Sequence, residues 1–273
     1  FGTSNAAFKA RYAVTGGFQG HQVVGYRDLD DLHRRMYTVT YRCRADEVLD
    51  LPDAADSYRT CTLSRDEQRH YNEMEQELIT LVGNGVVTAQ NALVKLLRLQ
   101  QITSGYLPVD ERVQALGTAK RDLLAEVLED IAPWEGGEQR EPVVVFCRYH
   151  HDLDTIAAVC RDQELRCVEL SGRCDELAQW QAGGADVVAV QLQAGGLGVD
   201  MSRARYCVYY SNSYSLGDYL QTRARVHRPG QTRAVTYIHL LAEGTIDETV
   251  LAALTKREDV VRAVVDDMRG KAI

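Results

Sequence analysis

The sequence lacks several features that would have decided its class at once. It has no run of about 18 uncharged apolar residues and no basic N-terminal stretch leading into an apolar one. Neither a membrane-spanning helix nor a signal peptide is therefore expected; the chain reads as soluble and cytoplasmic, with no membrane partner. No CxxC occurs, and the seven cysteines (Cys43, Cys61, Cys147, Cys160, Cys167, Cys174, Cys207) are odd in number and scattered. That spacing argues against a disulfide framework and a structural zinc site, leaving reduced thiols in the core or at the surface. His150-His151 and His227 have no carboxylate or thiolate companions at ligand spacing, so no metal site is expected. GxGxxG followed by an acidic residue about 20 positions on is missing, which speaks against a dinucleotide enzyme. GxxxxGK[ST] is missing too, and Gly195-Gly196-Leu197-Gly198 has neither its lysine nor its spacing, so no phosphate loop is present. The first residues are Phe-Gly-Thr with no initiator methionine, as expected of a fragment or a processed product.

What is present suits a globular chain: 273 residues, 45% of them hydrophobic, with a net charge of -8. That length buries one large or two modest cores, and that charge argues against general coating of nucleic acid while allowing a local basic track. Residues 1 to about 45 read weakly, with helical spacing near Leu29 to Met36 and period-two alternation from Tyr37 to Cys43. From Ser64 the pattern sharpens. Ser64 and Glu67 form a capping box ahead of Tyr71, Met74, Leu78, Ile79 and Val82, which predicts a helix over 65–82. A second helix follows, capped by Thr88 and ending at Ser104-Gly105, with Leu93, Leu96, Leu97 and Ile102 inward. LPVDERVQALGT (107–118) then reads as a linker.

A new unit starts there. A helix over 119–131 precedes EPVVVFCRY, another helix, RCVEL, a short helix, DVVAVQL, RYCVYYS, a helix, and AVTYIHL. Strands alternating with helices predict an α/β fold, a parallel sheet covered on both faces. Ligands in such sheets sit at the carboxyl ends of strands, where QAGGLGVD (193–200) and SNSYS (211–215) emerge.

The densest chemistry lies in QTRARVHRPGQ, Gln221 to Gln231. Ser215 and Asp218 form a capping box and Pro229-Gly230 stop the helix, predicting 216–228. Leu216, Leu220 and Ala224 share a stripe that can face the sheet. Gln221, Arg225 and Arg228 share the neighbouring one and point away from the core. Two guanidiniums and an amide in a row match phosphate oxygens. Taken alone, the same row also reads as solvated charge near a helix C-terminus. Arg223 and Arg233 read as surface charge, and Asp46-Glu47 and Asp247-Glu248 as helix-start or solvated carboxylates.

QTRARVHRPGQ resembles motif VI of the Swi/Snf-type branch of superfamily 2 helicases, whose pattern is Q-x-x-x-R-x-x-R-x-G-Q. VVVFCRY (143–149) resembles motif IV, LSG (170–172) the short motif after it, and QAGGLGVD motif V. GTIDETVLAAL (244–254) resembles the segment past motif VI, and LLRLQQITSG (96–105) the helix closing the first motor lobe. The resemblance spans nearly the whole chain and is nearest to the compact versions that bacteriophages encode. It implies three parts: 1–110 as the end of the first lobe with a helical segment and linker, 111–250 as the second RecA-like lobe, and 251–273 as a helical extension.

The resemblance further implies an ATP-dependent DNA helicase or translocase, with ATP and Mg2+ bound mainly by an N-terminal lobe not in this chain. Arg225 and Arg228 would then act on the γ-phosphate with Gln221 in support, and Asp200 and Gly198 would meet the nucleotide. Gln193, Gly195, Gly196 and Gly172 would face DNA. Tyr214 stands near a family tryptophan and either stacks on DNA or packs. Relatives carry Ser-Thr where this chain has Gln191-Leu192, and Leu192 cannot donate a hydrogen bond. Phage replication or recombination, replication proteins as partners and a bacterial host cytoplasm are the context implied. The alternative is a non-catalytic nucleic-acid-binding or assembly module that keeps the fold.

Overall fold

The computed structural model describes residues 4–16, 22–41, 49–83, 89–109, 112–131, 140–194, 198–213 and 215–256. The described residues divide into two compact units, one within 4–50 and the other within 51–256.

In the first unit, helix α1 (Asn5–Tyr12) leads into an antiparallel pair, β1 (Ala13–Gly16) and β2 (Gln22–Tyr26), followed by α2 (Leu29–Tyr37). Ser4 caps α1, its Oγ accepting from the Ala7 N–H at 3.2 Å. Asp31 gathers Tyr12 Oη at 2.8 Å, Arg11 at 2.9 Å and Arg35 at 3.0 Å, which holds its carboxyl below the usual range, Tyr12 contributing most. Helix α2 agrees with the spacing near Leu29 to Met36. The alternation read from Tyr37 gives no strand over 38–41, where the chain turns, and its remainder lies outside the described residues.

The second unit is built on a six-stranded, wholly parallel sheet. Its strands are β3 (Ala54–Cys61), β6 (Val143–Cys147), β7 (Cys167–Leu170), β8 (Val187–Gln191), β9 (Tyr206–Tyr209) and β10 (Val235–Ala242), in spatial order β3-β10-β9-β6-β8-β7. Every residue of β6 is buried, as expected of a strand covered on both faces. Its side chains alternate between two cores. Val144 and Phe146 join Trp180, Tyr209, Tyr219 and Val226 on one face. Val143, Val145 and Cys147 join Leu124, Leu128, Ile156 and Val159 on the other. The second face is covered by α5 (Ala119–Ile131) and α6 (His150–Asp162), and the first by α7 (Leu177–Gln181), α8 (Leu216–Val226) and a helix over 246–256.

Three segments differ from their sequence reading. The stretch 107–118 is no bare linker: β4 (Tyr106–Val109) and β5 (Arg112–Ala115) form an antiparallel pair. Gly105, at φ +89°, and Gly117 hold its base together. An added Cβ on Gly105 would lie 2.5 Å from the Gly117 carbonyl oxygen, and one on Gly117 would meet the Glu67 side chain, so only glycine fits at either place. Next, the sheet takes its edge strand β3 from AADSYRTC, well before residue 111. That stretch shows no alternation because it is mostly exposed.

Finally, helices α3 (Arg65–Gly83) and α4 (Ala89–Thr103) pack on this sheet: Tyr71, Leu99 and Ile102 share the core of Val144 and Phe146, and the Tyr71 hydroxyl accepts from the Ile246 N–H at 2.7 Å. The helix likened to the close of a first lobe is thus part of the 51–256 unit. The Ser64–Glu67 capping box forms as expected, with Ser64 N–H donating to Glu67 Oε2 at 2.8 Å and Glu67 N–H to Ser64 Oγ at 3.3 Å.

Asp247 stands at a helix start, in the first turn of 246–256, but is not solvated. It is buried and pairs with the buried Lys120 ammonium. It also accepts from Thr103 Oγ1 at 3.1 Å and from the Ala242 N–H at 3.2 Å. One carboxylate therefore ties α4, α5, β10 and the helix over 246–256 together, and the pairing offsets the cost of burying two charges.

Candidate functional site

Helix α8 positions the arginines. Ser215 is its N-cap, the Oγ accepting from the Asp218 N–H at 3.2 Å, but Asp218 does not return the bond. The Asp218 carboxylate accepts instead from Ser213 Oγ at 3.4 Å, and that same oxygen receives the Ser215 N–H at 3.2 Å. The cap is half a box completed by the preceding loop.

The inward stripe of α8 is Tyr219, Thr222 and Val226, at i, i+3 and i+7. Leu216 packs half-buried against this core as expected, but Leu220 and Ala224 do not face the sheet, Leu220 being 37% exposed. Aromatic rings in the strands below explain the rotation. Tyr209 shares a 2.9 Å hydrogen bond with Thr222 Oγ1, and its ring lies 5.4 Å from that of Tyr219. The consequence for the other stripe is favourable. Gln221, exposed, and Arg225, half-buried, lie off the buried stripe; α8 ends at Val226, short of the expected 228, so the half-buried Arg228 stands just past the C-cap His227.

The C-terminal turn of α8 meets the loop after β8. The Met201 N–H donates to the Arg225 carbonyl at 2.9 Å, and Arg228 Nη1 donates to the Val199 carbonyl at 3.2 Å. Asp200, between them, accepts from Ser202 N–H at 2.9 Å and Ser202 Oγ at 2.7 Å. Those bonds first, and the Arg228 charge after them, hold its carboxyl below the usual range. Gly198 is exposed, at φ +78° with open space around it. Arg225, Arg228, Asp200 and Gly198 are therefore brought to one loop-helix junction.

Gln193 and Gly172 lie past the carboxyl ends of the neighbouring strands β8 and β7, both exposed. The Gln191 side chain spans them, its Oε1 accepting from the Gly172 N–H at 3.4 Å while its Nε2 lies 3.5 Å from the Arg148 carbonyl. The Gln191 amide thus braces two strand-end loops, and Leu192 is buried. Gly195, Gly196 and Tyr214 lie outside the described residues.

Two groups of residues around this site went unread in the sequence. Arg223, taken as surface charge, is pinned inside. Its guanidinium makes two bonds to Asp56, at 2.5 and 3.1 Å, and lies 3.8 Å from the Tyr237 ring centroid. Asp56 also accepts from His239 Nε2 at 3.0 Å. Burial pushes the Asp56 carboxyl up, but His239 and Arg223 outweigh it and bring it down to about 2. Arg233 is likewise no free surface charge, since it pairs with the buried Glu141 at 3.0 Å.

At the strand ends, Arg148 Nη1 donates to Gln100 Oε1 at 2.9 Å, and Ser211 Oγ receives the Arg148 N–H at 2.8 Å while donating to the buried Asp152 at 2.6 Å. Burial pushes the Asp152 carboxyl up. These partners are 48 to 63 residues apart, so no local pattern could reveal them. The six described cysteines are free thiols, with Cys147, Cys160 and Cys207 buried; Cys43 lies outside the described residues. No described helix is long and apolar enough to cross a membrane.

Residues 119–230 match the helicase conserved C-terminal domain. The chain is similar to protein p41 of Acyrthosiphon pisum secondary endosymbiont phage 1, 23% identical over 99% of this chain and 59% of p41. It is also similar to the SWI/SNF chromatin-remodeling complex subunit snf22 of Schizosaccharomyces pombe, 24% identical over 93% of this chain and 16% of that one. In fold it matches the Sulfolobus solfataricus SWI2/SNF2 ATPase core, solved in complex with dsDNA, at a TM-score of 0.58 and 16% identity, over 97% of this chain and 56% of that one. The parallel sheet and its helices are those of a RecA-like helicase lobe. The chain thus carries a helicase conserved C-terminal domain over 119–230 and is similar along most of its length to Swi/Snf-type proteins. It spans under two thirds of the length of these relatives.

Proposed function

We propose that this chain is the C-terminal motor part of an ATP-dependent DNA helicase or translocase and completes an ATP site shared with a first RecA-like lobe. The observation that carries this reading is the junction of α8 with the loop after β8: Arg225 in the last turn of α8 and Arg228 just past its end both lie at the loop holding Asp200 and Gly198. These residues fit a polyphosphate. Guanidinium forks match phosphate oxygens, and Gly198 leaves backbone accessible beside them. They do not fit magnesium, since among the described residues no three His, Cys, Asp or Glu side chains gather to hold a metal; the first lobe would hold it.

When bound, ATP supplies the γ-phosphoryl group. Arg225 and Arg228 neutralise charge that builds on its oxygens in the transition state, with Gln221 in support, and Asp200 meets the ribose side. DNA lies along the carboxyl ends of the strands, against Gln193, Gly195, Gly196, Gly172 and Tyr214. A related ATPase core solved with dsDNA supports a duplex as the track. The similarity to a phage protein supports a role in phage DNA replication or recombination, in a host cytoplasm and with replication proteins at hand.

By itself this chain is expected to turn over ATP far more slowly than a motor, because it has no GxxxxGK[ST]. The deciding experiment is DNA-stimulated ATP hydrolysis by the full parent chain carrying Arg228→Ala or Arg225→Ala. A loss of about a hundredfold or more with nucleotide binding retained supports the reading. Near-wild-type turnover would instead favour a nucleic-acid-binding or assembly module that keeps the fold without the motor.

A further inference from the structure

A second concentration of arginine lies at the amino ends of the strands and belongs to none of the motifs. Arg140 precedes β6, Arg166 precedes β7 and Arg203 precedes β9; with Gln181, Gly183 and Asp186 they line a cavity of about 550 Å³. Asp186 is buried and already saturated by Arg166, which reaches it with Nε at 3.1 Å, Nη2 at 2.7 Å and its own N–H at 2.9 Å. Arg203 is fixed by geometry alone. Its Nη1 donates to the Trp180 and Ala185 carbonyls at 2.7 and 3.0 Å, and its guanidinium covers the Trp180 ring at 5.0 Å. Arg140 Nη1 reaches only the Gln163 carbonyl, at 3.3 Å.

The lining thus carries two positive charges in excess. Glu141, next to Arg140 in sequence, is taken by Arg205 at 3.3 Å and Arg233 at 3.0 Å. Among the described residues, Nε and Nη2 of both Arg140 and Arg203 have no acceptor. Partial burial, together with the charges of Arg166 and Arg233, pushes the Arg203 guanidinium below its ordinary range, and an anion in the cavity would relieve that repulsion.

We propose that this cavity is a docking site for an acidic peptide segment of a partner protein, whose carboxylates are received by the free donors of Arg140 and Arg203. Guanidinium forks suit carboxylates and phosphates alike, but three features favour the carboxylate. The site is concave, whereas duplex DNA presents a convex backbone. The Asp186 carboxylate in its wall repels a dianionic phosphate more than a carboxylate. The one large aromatic face, Trp180, is already covered by Arg203 and offers no platform for an unpaired base. Gln181, in the same wall, donates to the Asp200 carbonyl at 2.7 Å, so an occupant would press on the loop that carries Asp200. The site itself does not depend on the motor reading.

The test is fluorescence anisotropy of a labelled oligoglutamate peptide titrated with the 273-residue chain at low and high salt. A chain of net charge -8 does not attract such a peptide non-specifically. Salt-sensitive binding is expected, weakened about tenfold by Arg140→Glu, further by Arg203→Gln, and unchanged by Arg65→Glu on α3. Arg140 is exposed and away from the core, so that variant keeps the test valid even if Arg203→Gln fails to fold, as judged by circular dichroism. No peptide binding, or binding that Arg140→Glu leaves unchanged, would overturn the proposal. So would displacement of the peptide by duplex DNA or by ATP, which would make the cavity part of a DNA or nucleotide site.

Discussion

The two faces of α8 carry the same residue type to opposite ends. Arg223 turns inward, where Asp56, Tyr219 and Tyr237 account for its charge, its hydrogen bonds and its ring contact. It acts on this protein. Arg225 and Arg228 turn to the Asp200 loop, where the Arg225 carbonyl receives the Met201 N–H and Arg228 Nη1 donates to the Val199 carbonyl, both side chains half-buried. Helical phase, set by Tyr219, Thr222 and Val226 on the strands below, separates Arg223 from Arg225, and Arg228 follows the C-cap His227 past the end of α8. A guanidinium committed to an internal carboxylate stabilises a fold; one presented at the end of a rigid element can stabilise a passing charge.

Substitutions should pull the two faces apart. On the outer face, Arg228→Ala in the parent motor is expected to cost about a hundredfold or more in DNA-stimulated turnover, with a urea midpoint that stays near wild type. A large drop in that midpoint would mean that Arg228 belongs with Arg223. On the inner face, Arg223→Ala leaves Asp56 without its main partner and should lower unfolding stability by about 2 kcal/mol in urea titrations. Its effect on turnover should follow from helix placement and be smaller than that of Arg228→Ala.

The Asp56 pairing also has a pH signature. Its carboxyl is near 2 when folded against about 3.9 unfolded, so its stabilisation is present above about pH 4 and disappears as pH falls toward 2. Asp56→Asn should flatten stability against pH in that window. An unchanged slope would point to other carboxylates as its source.

Much of this architecture could be read in advance, and what could not shares a physical cause. Strands β6 and β8 announce themselves as VVVFC and VVAVQ because they are buried on both faces. Helix α5 was legible from 119 to 131 because its apolar residues recur at helical spacing. Strand β3 was not, since an exposed edge needs no apolar pattern. The β4/β5 pair hid behind linker-like composition. The burial of Asp247 at its helix start went unread because its partner Lys120 lies 127 residues away. In the site, Arg225, Arg228 and Asp200 were visible through motif spacing, whereas Arg223–Asp56 and Arg148–Ser211–Asp152 exist only once distant strands are side by side.

The smallest expected effect probes the phase of α8 itself. Counting aliphatic residues puts Leu216, Leu220 and Ala224 toward the sheet; the structure keeps Leu216 against the core but buries Tyr219, Thr222 and Val226 in place of Leu220 and Ala224. Leu220→Ala should then stay within about 0.5 kcal/mol of wild type, as exposed positions do. Val226→Ala, at a fully buried position, should cost about 1–3 kcal/mol through lost apolar burial and the cavity left behind. The reverse order in chemical denaturation would turn the helix by roughly a third of a revolution, since residues three apart along a helix differ by about 60° and residues one apart by about 100°. Arg223 would then lose its inward position and the outer row would shift off the Asp200 loop. The pair of substitutions thus tests, without any nucleotide present, the rotation on which the arginine row depends.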